Sequence, residues 1–78
     1  MKATIEITDL FWGEANYGWV KRFELEDIEG LTQNQVIRRL KKLAGLNGVR
    51  WRKVVECGDY MQFNFVGWYA TAFIVWEY

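Results

Sequence analysis

Between Thr32 and Gly45 the sequence writes one amphipathic helix, and the segments on either side follow the two-residue period of strands. Thr32-Gln33-Asn34-Gln35 matches a capping box, in which the Thr32 hydroxyl and the Gln35 amide satisfy end amides that have no helical partner. Leu31 and Val36 supply the matching hydrophobic staple. At 100° per residue, Val36, Ile37, Leu40, Leu43 and Ala44 form a single apolar stripe, and Gly45 stands where a left-handed C-cap is wanted. Arg38, Arg39, Lys41 and Lys42 lie outside the stripe, the last two near the helix end whose dipole favours cations.

Around this helix the alternation is that of half-buried strands. Ala3, Ile5 and Ile7 alternate with Thr4, Glu6 and Thr8, which predicts a first strand. Residues 9–16 are expected to form a loop that packs onto something, because Phe11 and Trp12 are too apolar for an idle one. Tyr17, Trp19, Phe23 and Leu25 share one parity broken by Lys21, predicting a second strand with one end wet or bulged. After an Asn47-Gly48 turn, residues 49–57 read as a third strand, Gly58-Asp59 as a tight turn, and residues 60–66 as a fourth strand with Met61, Phe63 and Phe65 on one face. Gly67-Trp68 turns the chain again, and residues 69–77 close it as a fifth strand. The expected fold is therefore α+β: a single domain over residues 1–78, with an antiparallel sheet of about five strands, one helix packed on one face, and the order ββαβββ.

Seventy-eight residues leave no room for a second domain. A core this small needs dense packing, and fourteen aromatic residues with no proline supply it and exclude intrinsic disorder. With Cys57 alone and no histidine, an intrachain disulfide cannot form and Cys/His zinc chemistry has too few ligands; no metal or cofactor is expected, and a reducing compartment fits. The opening residues carry no apolar run behind a basic start, and no stretch approaches a membrane span, so neither export nor membrane insertion is expected.

Catalytic material is poor, since the chain has neither histidine nor serine and Cys57 sits mid-strand with no base near it in sequence. No catalytic residue is assigned and an enzyme is not expected. The glycines match neither a phosphate loop nor a dinucleotide fingerprint. Charge carries more information. The formal net charge is zero, yet residues 1–30 hold seven acids against three bases, residues 31–53 hold seven bases and no acid, and residues 54–78 hold three acids and no base. Glu24, Glu26, Asp27 and Glu29 read either as paired carboxylates for acid/base chemistry or as a solvated strand edge that discourages strand addition. Arg38, Arg39, Lys42, Arg50 and Arg52 read either as a solvated helix back or as a surface for phosphates or an acidic protein patch, provided that neighbours in sequence are neighbours in space. One helix covers one face of a sheet, so Tyr60, Trp68, Tyr69 or Phe73 can be left on the open face, where stacking, a homodimer or a protein target would use them.

Several strings are distinctive. Gly13-Glu14-Ala15-Asn16-Tyr17-Gly18-Trp19-Val20-Lys21-Arg22, then Leu43-Ala44-Gly45-Leu46-Asn47-Gly48-Val49-Arg50, Gly58-Asp59 and Phe73-Ile74-Val75-Trp76-Glu77 together resemble a pattern found in small phage and prophage proteins, over residues 12–77. The resemblance implies phage against host. Small one-domain phage proteins without catalytic machinery are often inhibitors of host defence, and the resemblance therefore implies an anti-CRISPR protein acting in the host bacterial cytoplasm. Its partner would be a CRISPR effector, a multisubunit Cascade ahead of a single-chain nuclease, and its effect would be to block target DNA. On that reading Glu24, Glu26, Asp27 and Glu29 occupy a Lys/Arg groove meant for phosphates, or the basic set docks on an acidic subunit, with Trp12 and Tyr17 as aromatic anchors. The alternative is a small phage nucleic-acid-binding protein using Arg38, Arg39, Lys42, Arg50 and Arg52.

Overall fold

The structure, a computed structural model, describes residues 1–11, 14–67 and 69–77, and the side chains of these outside 11–19. Two strands, β1 (Lys2–Phe11) and β2 (Glu14–Glu26), precede the helix α1 (Gln33–Leu43), and β3 (Trp51–Cys57), β4 (Tyr60–Phe65) and β5 (Ala70–Glu77) follow it. This is the expected ββαβββ order. All five strands form one antiparallel sheet in the spatial order β2-β1-β5-β4-β3. The final strand thus returns to the middle, beside the first, and the helix carries the chain from one sheet edge to the other.

Helix ends form as their residues dictate. Gln35 N–H donates to the Thr32 hydroxyl at 3.2 Å and Thr32 N–H donates to the Gln35 side-chain oxygen at 2.9 Å, closing the capping box. Gly45 follows the C-cap Ala44 with φ of 73°, a left-handed conformation that costs glycine nothing. Gln33 reaches the Gly58 carbonyl at 3.4 Å while Lys41 lies over Trp51. The helix therefore runs against the direction of β3.

Its stripe meets the sheet face carrying Ala3, Ile5 and Ile7 of β1, Met61, Phe63 and Phe65 of β4, and Ala70, Ala72, Ile74 and Trp76 of β5, all buried with Val36 and Leu40. Ile5 is central: it pairs with Phe23 on one side and Ile74 on the other and is wholly inaccessible. Burying a side chain of that size stabilises the fold by about 1.5–3 kcal/mol. Phe23, Leu25, Leu31, Ile37, Ala44, Val49 and Trp51 pack around this core from its margins.

Two details depart from the sequence expectations, in the 9–16 loop and at Leu43. Much of the expected 9–16 loop is strand, for β1 runs through Phe11 and β2 starts at Glu14; Trp12 and Gly13 lie outside the described residues. The second strand has the wet, irregular end expected of it: Lys21 pairs regularly with Ile7, and the ladder shifts just beyond, where pairing passes from Thr8↔Val20 to Leu10↔Ala15. Lys21 keeps the parity of Phe23 and Leu25 and is exposed. In α1, Leu43 belongs to the apolar stripe by phase but is 49% exposed, because it overhangs the outer side of β2.

Candidate functional site

The face of the sheet opposite the helix carries the alternate residues, and here the charges of β1, β2 and β5 interlock. Lys2 of β1 extends its ammonium to Glu24 of β2 at 3.5 Å and to Glu77 of β5 at 3.4 Å, clamping three strand ends. Its pKa is raised, first by the hydrogen bond to Glu77 and then by the negative charge of Glu24. One step along, Arg22 of β2 pairs with Glu6 of β1. Between these pairs lies a concavity of about 390 Å³ floored by Thr4, Tyr60, Phe73 and Val75. The Tyr60 and Phe73 rings stack with centroids 6.1 Å apart.

Further along, this face becomes polar and closed. Thr8 and Thr71 sit opposite each other on β1 and β5, both fully inaccessible. The Thr71 hydroxyl lies 3.0 Å from the Phe63 carbonyl and 2.9 Å from the Asn64 side-chain oxygen, and it accepts from Gln62 at 3.1 Å. Burial of these threonines is tolerable because the hydroxyls are bonded.

The four acids named from sequence gather at one end. Glu24 and Glu26 lie on the open face of β2, and a rise of about 3.4 Å per residue spaces them about 7 Å apart. Asp27 follows with φ of 57°, a left-handed position that Asp tolerates better than most residues. Glu29 accepts from the terminal ammonium of Met1 at 3.2 Å, and its pKa is lowered, first by a bond from its own backbone N–H and then by that ammonium. Glu26 and Asp27 line a shallow depression of about 280 Å³ with Met1, Lys2 and Glu77. Among the described residues, five carboxylates thus gather round two cations at this end.

The basic residues divide. Lys41 turns toward β3, with its ammonium 4.7 Å from the Trp51 ring centroid. Arg39 and Lys42 flank Leu43 on the other side of the helix, toward Leu25 of β2. Arg38 is exposed on the outer helix surface. Arg52 pairs with Asn64, one residue out of phase with Trp51, and so projects from the face opposite the helix; Arg50 precedes β3 and is exposed. The five residues grouped from sequence do not make one continuous surface, because the pleat sends Arg52 to the other side. Among the described residues, Arg38, Arg39, Lys42, Arg50 and Arg52 make no ion pair.

Of the aromatic anchors named from sequence, Trp12 and the Tyr17 side chain lie outside the described residues, as does Trp68. Tyr60 and Phe73 are half-buried on the open face, and Tyr69 is 88% exposed. Lys2 and Glu77, which complete the acidic end, were missed as site residues. Lys2 shares the parity of Thr4 and Glu6, so its side was readable, but nothing in the sequence places β5 beside β1. Cys57 is an exposed free thiol, and no three His, Cys, Asp or Glu side chains among the described residues are grouped to hold a metal ion. No helix among them is long and apolar enough to cross a membrane. No protein-family model, no curated protein and no solved structure matches the chain.

Proposed function

We propose that this protein is a small phage-encoded inhibitor of the anti-CRISPR kind, which binds a CRISPR effector, Cascade ahead of a single-chain nuclease, and keeps target DNA from it. The observation that supports this reading is the acidic end: Glu24 and Glu26 in a row on an edge strand, with Asp27, Glu29 and Glu77 beside them and two cations among them. A row of carboxylates on a rigid strand is a fit for a Lys/Arg groove that otherwise holds phosphates. Complementary charge speeds encounter and sets register, and affinity then rests on apolar contacts near the row. The site of action in this reading is the host bacterial cytoplasm.

Native mobility shift and size exclusion against purified Cascade complexes, with labelled target DNA added before or after, test it. Co-elution with a complex and loss of DNA binding are expected. Glu26→Lys combined with Asp27→Asn should weaken that inhibition by at least about tenfold, the asparagine being chosen because it also accepts the left-handed backbone. Failure of every complex to bind would sink the proposal.

A second reading has its own observation. Arg38, Arg39 and Lys42 are exposed on one helix and unpaired among the described residues, which suits phosphate contacts in a nucleic-acid-binding protein. It predicts that DNA alone shifts with a steep salt dependence and that Arg38→Gln with Arg39→Gln flattens the slope.

A further inference from the structure

We propose that the groove between α1 and β2 is a docking site for an acidic segment of another protein that carries an apolar side chain. It lies on the helix side of the sheet, on the face opposite Glu24 and Glu26, and does not depend on the CRISPR reading. The groove has a volume of about 470 Å³ and is lined by Leu25, Leu43, Arg39 and Lys42. Leu43 is 49% exposed although it lies on the apolar stripe of the helix, and Leu25 is partly buried on the same side of β2. β2 is a sheet edge, so the groove is open along its outer side.

Its chemistry is specific. Two leucines form the floor and two cations form the rim, and among the described residues neither cation has an ion-pair partner. By contrast Lys2, Arg22 and Lys53 are each held by a carboxylate. An occupant that matches both features brings a Leu- or Phe-like side chain to Leu25 and Leu43 and carboxylates to Arg39 and Lys42. A nucleic-acid strand matches only the rim: the described lining offers no aromatic ring for a base to stack on, and a phosphate does not desolvate leucine. Arg39 suits a bidentate carboxylate, and Lys42 supplies a point charge one turn on.

The test uses the whole chain and a fluorescein-labelled twelve-residue peptide of Glu and Asp with two leucines spaced four apart, read by anisotropy. A peptide with serine in place of both leucines and a twelve-nucleotide oligothymidylate serve as comparators. The leucine peptide should bind with a micromolar Kd. Leu43→Ser, and separately the pair Arg39→Gln and Lys42→Gln, should each weaken it about tenfold, while the serine peptide should bind at least about tenfold more weakly than the leucine one. In the unmodified protein, NMR methyl shifts on adding the leucine peptide should concentrate at Leu25 and Leu43, a readout that needs no variant to fold. The proposal is overturned by absence of binding, by equal binding of the serine peptide or the oligonucleotide, by an unchanged Kd in Leu43→Ser, or by methyl shifts centred elsewhere.

Discussion

The Lys41 ammonium lies 4.7 Å from the centroid of the Trp51 ring, on which Phe63 is stacked at 4.5 Å. This column joins the last turn of the helix to the edge strand β3 and thence to the core. A cation over a partly exposed indole contributes roughly 0.5–1 kcal/mol, so Lys41→Met, which keeps the stem and loses the charge, should cost about that much in urea denaturation. Trp51→Ala also loses the contacts to Phe63 and Phe65 and should cost roughly 2–4 kcal/mol, somewhat under the range for fully buried tryptophan. Equal effects of the two substitutions would show that the ring is not packed as described.

Lys53 and Glu56 form an ion pair at 2.9 Å although they stand three residues apart in a strand. A regular strand would put them on opposite faces. The ladder passes from Lys53↔Phe63 to Val55↔Gln62, leaving Val54 as the extra residue of a bulge and bringing Lys53 and Glu56 to the same side. Bulges blunt sheet edges against pairing with another chain. Deleting Val54 should preserve the fold while straightening the edge, and analytical ultracentrifugation should then show more self-association than in the unmodified protein. A deletion that unfolds the chain would mean the bulge shapes the core as well.

Thr32→Ala should lower stability by about 1 kcal/mol, the usual value of an N-cap. Thr32 and Gln35 act reciprocally, so Gln35→Ala added to it should cost less than the separate effects combined. Thermal melts of the four proteins in this cycle measure the coupling, and strict additivity would contradict the box.

The pH dependence follows from Lys2 and Glu29. A lysine whose pKa is raised on folding contributes stability that is present below its ordinary range and is lost as pH rises through the raised value. Glu29, lowered on folding, contributes stability that is present above the ordinary glutamate range and is lost as pH falls through the lowered value. Both side chains reach solvent, so salt should diminish both effects. Glu77→Gln removes the largest cause at Lys2 and should move its NMR titration midpoint back toward that of an ordinary lysine. An unmoved midpoint would place Lys2 away from β5.

Local chemistry settled the helix and most of the strands. Thr32, Gln35 and Gly45 act within a few residues of themselves, and the alternation in Ala3-Thr4-Ile5-Glu6-Ile7 or Met61-Gln62-Phe63-Asn64-Phe65 is read directly by the pleat. Both faces of β1 and β4 were therefore legible before any neighbour was known. What tertiary structure alone decided was adjacency and phase across the bulge. Lys2 meets Glu77 because β5 inserts beside β1, a pairing between chain ends that no local pattern encodes. Arg52 leaves the helix side because the pleat alternates from Trp51, whose ring the core claims. Leu43 keeps the helix phase of a core residue yet stays half exposed, because the sheet ends at β2 and has no further strand to cover it. Period is a property of the backbone and is written in sequence, whereas the choice of neighbours is made by how far the core extends.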